Sequence, residues 1–251
     1  MIAQIVAAMA MAIFKRISEN PVEMYLDHTV FLTGLTGILA MFPAVFFYRR
    51  DQRKREMAGT LPILSRKTLP LRETGLLLLT GAGLAQYGNI LMLFLQGVIS
   101  SEAYQESAAR ITEGKSIFMM IFWMGIIAPA AEEMIFRWLI YLRLRESLKM
   151  PMAALVSGLI FGIYHGNMTQ AVYALLLGMV FAYILEKSQN LYSSILLHMG
   201  ANIWSLLVSE YMYSLLSIKY GSLVLIGIYV LLLGAMVYCL GHYGRSNNKR
   251  D

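Results

Sequence analysis

Apolar stretches about as long as a bilayer's hydrocarbon core is thick recur along this 251-residue chain, and they restrict its fold more than any other feature. In lipid every backbone N–H and C=O must find a partner within the protein, so only helices and closed β-barrels cross. Barrel strands alternate apolar and polar residues over about ten positions. Here Leu76–Leu79, Leu175–Leu177 and Leu231–Leu233 lie in continuous apolar segments, in a chain that is 58% hydrophobic and 14% charged. A helix needs about twenty residues to cross a core of about 30 Å. The expected fold is therefore all-α, a polytopic membrane helical bundle.

Eight spans are predicted, near residues 2–14, 29–48, 75–99, 116–142, 151–167, 168–186, 190–208 and 221–241. The first is short enough to raise a signal sequence, and is expected to be a helix. Only Gly166 and Asn167 separate the fifth and sixth, which predicts a tight helical hairpin near His165. The connections 49–74 and 100–115 are too short for a self-sufficient core, so residues 1–251 are read as one membrane domain. Gly81, Gly83 and Gly88 have no counterpart in the second half, which argues against an inverted repeat and for close helix packing. The single cysteine, Cys239, excludes an intrachain disulfide and is expected in the core.

Lys and Arg are retained on the cytoplasmic side of membrane proteins. With eight spans, one face receives fifteen basic residues, among them Arg49–Arg55, Arg143–Lys149, Lys187 and Arg245–Arg250. The other receives five: Lys15, Arg16, Arg110, Lys115 and Lys219. This predicts a multi-pass protein of the plasma membrane with both termini cytoplasmic. The net charge of +6 is thus a topological signal, and a nucleic-acid partner is not expected, because the basic cluster directly follows a span and lacks interleaved aromatics. The expected partners are the bilayer and a peptide or protein substrate.

Three ionisable groups, Glu132, Glu133 and Arg137, fall inside the fourth span, where each is costly and normally serves transport or chemistry. Glu133 and Arg137 are four apart and share a face, so they can pair; Glu132 is turned about 100° away. Pro129 lacks an amide hydrogen and frees the carbonyl of Gly125, which predicts a kink where the glutamates begin. Phe161 and His165 are four apart in the fifth span, as are His198 and Asn202 in the seventh. At ~1.5 Å per residue all of these reach one slab near the midplane. A carboxylate withdrawn from water can act as a general base, with His165 sharing the activation or holding the water. His198 and Asn202 can donate hydrogen bonds to an oxyanion. The chemistry such a set supports is hydrolysis without a metal or cofactor.

The ordered motifs E-E-M-I-F-R (132–137), F-G-I-Y-H (161–165) and H-M-G-A-N (198–202) resemble the E-E-x-x-x-R, F-x-x-x-H and H-x-x-x-N signature of the CPBP intramembrane glutamic endopeptidases. That family comprises type II CAAX prenyl endopeptidases and bacteriocin-processing or self-immunity proteins. The resemblance covers about 116–209 and implies a conical cavity open to the cytoplasm, Glu132 and His165 activating water, His198 and Asn202 holding the oxyanion, and Glu133 and Arg137 supporting the site. It implies a membrane-associated or lipid-modified substrate. One departure is Trp138, where many members have glycine; the wider ring is expected to narrow the cavity.

Three other readings compete. A zinc protease is the nearest, but H-E-x-x-H is absent. A non-catalytic bacteriocin immunity or membrane scaffolding protein would keep the cavity without turnover. A proton-coupled transporter would use Glu132 and the histidines as a relay and need access from both membrane faces.

Overall fold

The computed structural model describes residues 2–59, 64–95 and 114–246. The end of the third predicted span (96–99), most of the following connection and Arg110 lie outside the described residues. Nine helices occur among the described residues: α1 (Ile2–Ile17), α2 (Pro21–Asp27), α3 (Thr29–Ala58), α4 (Leu71–Leu95), α5 (Ile117–Arg145), α6 (Met150–Tyr164), α7 (Met168–Ser188), α8 (Tyr192–Ser217) and α9 (Gly221–Ser246). No strand is present among them.

The expectation of eight full spans needs correction. Among the described residues, five helices are long and apolar enough to cross a membrane: α3, α4, α5, α7 and α9. At 16 and 15 residues, α1 and α6 are about 24 and 22 Å long, short of the ~30 Å core. At 26 residues α8 is long enough, but it carries His198, Asn202, Ser205 and Glu210 and is not among the five. Helix α3 also continues ten residues beyond its apolar run, through Arg49–Arg55, where a connection was predicted.

Burial runs opposite to that of a water-soluble protein. Among the five long apolar helices α9 has the most apolar window, eighteen residues with a mean hydropathy of 2.6, yet only 11% of that window is buried. Leu223, Ile226, Val230 and Leu231 point outward, as they do where the solvent is lipid. Close backbone approach builds the interior instead. A Cβ on Gly81 would collide with the carbonyl of Leu197, and one on Gly200 with that of Leu78, so α4 and α8 meet backbone to backbone. Cys239 is buried in the cluster where α4, α7, α8 and α9 converge, as expected.

Helix α5 lies at the centre, against α3, α6, α7 and α8. The charged ends of α3, α5 and α7 meet on one side: Arg143 pairs with Asp51 at 2.6 Å, Arg55 with Glu146 at 2.7 Å and Arg145 with Glu186 at 2.7 Å. The segment after α3 returns to this end, where Ser65 N–H donates to Gln189 O and Asn190 Nδ2 to Lys67 O. The predicted hairpin is present: α6 ends at Tyr164 and α7 begins at Met168, with Gly166 turning at φ +73°. Asn167 caps α7 by accepting from Gln170 N–H at 2.9 Å.

Candidate active site

The site is built around an irregular α5. The helix widens to π geometry over Ile121–Ile127 and again over Met134–Tyr141, leaving one α-helical turn and a half, Ala128–Glu133, between them. In the first wide segment Ala128 N–H bonds Trp123 O, five residues back. In that register the carbonyl facing Pro129 is Met124, and proline has no hydrogen to offer it. The orphan is therefore Met124 O, one residue before the Gly125 carbonyl expected from an ideal α-helix. Asn202 of α8 satisfies it, donating from Nδ2 at 2.9 Å.

Glu133 and Arg137 are fully buried and paired, Arg137 Nη1 lying 3.0 Å from Glu133 Oε1. The guanidinium sits 4.5 Å from the centre of the Phe161 ring and 5.4 Å from that of Phe181. Gly178 of α7 leaves room for it, since a Cβ there would stand 2.6 Å from Arg137 Nη2. Ser157 Oγ of α6 donates to Phe136 O at 2.9 Å, tying the second wide segment to the hairpin.

The same Glu133 oxygen holds His198, whose Nδ1 lies 3.0 Å away. A carboxylate only accepts, so Nδ1 carries the proton and the ring is turned to present Nε2 towards Glu132. Nε2 is 3.6 Å from Glu132 Oε2, too far for a direct hydrogen bond. The Phe181 ring packs 5.0 Å from the imidazole and fixes its plane further.

His165 ends α6, and its Nδ1 lies 2.9 Å from Phe161 O. A carbonyl also only accepts, so Nδ1 donates and Nε2 is the nitrogen left to the cavity, an acceptor in the neutral ring.

Glu132, His165, His198 and Asn202 all line one cavity of about 410 Å³ between α4, α5, α6, α7 and α8. The two glutamates have separated as the 100° offset requires: Glu133 is sealed at 0% side-chain exposure, whereas Glu132 retains 18% and faces the cavity. Glu132, Ala128 and Tyr164 also border a second cavity of about 570 Å³ between α1, α3 and α5. Its remaining walls are mostly apolar, including Val6, Leu32 and Ile135.

All six predicted site residues thus fall in one connected cluster. Besides the shifted orphan carbonyl, two features escaped the sequence. The Glu133–His198 contact joins residues 65 apart, and only the fold brings them together. Trp138 does not narrow either cavity; it is buried on another side of α5, donating from Nε1 to Leu191 O at 3.1 Å and packing on Tyr48. Among the described residues, no three of His, Cys, Asp and Glu are arranged to hold a metal ion.

Residues 114–204 match the family described as type II CAAX prenyl endopeptidase Rce1-like. Over 124 residues the chain is 29% identical to the Bacillus subtilis (strain 168) protein named "Putative membrane peptidase YdiL", a match covering 46% of this chain and 51% of that protein. The chain thus spans about half the length of that curated relative. No solved structure matches it.

Proposed function

For a chain that belongs through residues 114–204 to the Rce1-like family of type II CAAX prenyl endopeptidases, we propose the activity of an intramembrane glutamic endopeptidase. The observation that carries this reading is the division of labour between adjacent carboxylates: Glu132 opens on the cavity shared with His165, His198 and Asn202, and Glu133 is sealed beneath it. Glu132, assisted by Nε2 of His165, takes a proton from a water whose oxygen attacks the scissile carbonyl. Negative charge then develops on the carbonyl oxygen. Protonated His198, held by Glu133, donates to it from Nε2, and Asn202 donates with the Nδ2 hydrogen not used by Met124. The C–N bond breaks as the proton passes from Glu132 to the leaving amine.

The substrate in this reading is a peptide or protein at the membrane, with a lipid-modified or strongly apolar part. The apolar cavity on the far side of Glu132 supports that class, because it could take such a part while the peptide bond lies in the polar one. The basic stretches Arg49–Arg55 at the end of α3 and Arg143–Lys149 around the end of α5 gather on one side, which supports that side as the cytoplasmic one.

The test compares the peptides of membranes that carry the wild type with those carrying Glu132→Gln at equal level. Loss of at least one cleavage product in the variant is expected. Identical peptide profiles would favour immunity or scaffolding without turnover. Cleavage abolished by a chelator would indicate a metal enzyme, and Glu132-dependent proton flux across vesicles without cleavage would indicate a transporter.

A further inference from the structure

A third concavity, about 1010 Å³, lies along α3 and shares no lining residue with the two cavities at Glu132. One end is apolar, walled by Ile38, Met41, Phe42 and Val45 with Met134 of α5. The other is basic, formed by Arg49, Arg50, Arg53 and Lys54, and no acidic residue lines it. Positions 38, 42, 45, 49 and 53 recur at three or four residues, so the apolar and basic parts form one continuous face.

Of the nearby carboxylates, Asp51 is claimed by Arg143 and Arg50 and Glu146 by Arg55, while Glu56 accepts from Gln52 Nε2 and does not line the groove. Arg49, Arg53 and Lys54 form no ion pair with any described residue. Arg49 follows Ile38 by eleven residues, or about 16 Å of helix, close to one leaflet of a core of ~30 Å. The basic end therefore stands at headgroup depth when the apolar end lies in hydrocarbon.

We propose that this groove is a binding site for an anionic phospholipid of the membrane. One acyl chain lies along Ile38, Phe42 and Val45 against Met134, and the phosphate sits among Arg49, Arg53 and Lys54. Three unpaired cations favour a headgroup of net negative charge over a zwitterionic one. An extended peptide would leave its backbone groups unpaired along the apolar wall.

The full chain is purified in detergent, and retention of phosphatidylglycerol and of phosphatidylcholine of the same acyl composition is measured by native mass spectrometry. The wild type is compared with R49Q/R53Q/K54Q and with K67Q/R72Q/K187Q, which removes the same charge outside the groove. The wild type is expected to prefer phosphatidylglycerol at least tenfold, the groove variant to lose that preference, and the control to keep it within twofold. Arg53→Gln alone is expected to weaken retention about fivefold, the contribution typical of one cation near a charged surface, which keeps the test informative if the triple variant folds poorly. Equal loss in both triple variants would reduce the site to a diffuse field and overturn the proposal. So would unchanged retention in the groove variant, or displacement of the lipid by millimolar inorganic phosphate.

Discussion

A single oxygen, Oε1 of Glu133, lies 3.0 Å from Nη1 of Arg137 and 3.0 Å from Nδ1 of His198. One buried carboxylate thus neutralises the guanidinium and aims the imidazole. Removing one member of a buried ionic pair typically costs about 3–5 kcal/mol, because the other stays uncompensated. Arg137→Met should therefore lower Tm in detergent, and adding Glu133→Gln should restore part of the loss, since glutamine keeps an oxygen for His198 Nδ1–H. A double variant no more stable than Arg137→Met would count against the pairing.

Exposure to the cavity distinguishes the two glutamates. Glu132→Gln should reduce turnover by at least 10² and leave Tm close to wild type, because its side chain makes no direct hydrogen bond that folding depends on. Glu133→Gln should retain more turnover and lose more stability. Turnover and Tm of both purified variants decide the matter; an active Glu132→Gln beside a dead Glu133→Gln reverses the assignment.

Packing at Gly178 offers a check that replaces no ionisable group. A methyl there would stand 2.6 Å from Arg137 Nη2, between helices that already meet at Gly158. Gly178→Ala should push the guanidinium off the Phe161 ring and destabilise the protein by about 1–3 kcal/mol, the range for overpacking. Ser157→Ala, on the same hairpin but clear of Arg137, should remove only one buried hydrogen bond, about 1 kcal/mol. Equal Tm values for Gly178→Ala and the wild type would mean the ring stack yields without strain.

Much of this arrangement was legible because it is local. The four-residue spacings of Glu133 with Arg137 and of His198 with Asn202 predicted shared faces, and those faces converge. The hairpin at Gly166 was equally local. What escaped depended on departures from the ideal helix or on distance in sequence. A wide turn shifts the orphan carbonyl from Gly125 to Met124, and no spacing rule anticipates the shift. The Glu133–His198 bond needs α5 and α8 in register, and the two helices approach closely where Gly125 faces Ile203. The span count differs for another reason: by length and composition five helices among the described residues qualify, α1 and α6 being shorter than the core and α8 more polar.

Asn202 carries two tasks that can be separated. Its Nδ2 donates to Met124 O, and the same carboxamide faces the cavity beside Glu132. Asn202→Ala should lower turnover by about 10²–10³ with little change in substrate affinity, the signature of a donor used in the transition state. It should also lower stability by about 1 kcal/mol, because a part-buried carbonyl loses its only identified partner. Pro129→Ala supplies a backbone N–H in the register that faces Met124 O. The double variant P129A/N202A should then regain stability and not turnover. Recovery of both would make the carboxamide a structural brace alone, and recovery of neither would mean that Pro129 is not what leaves Met124 O unpaired.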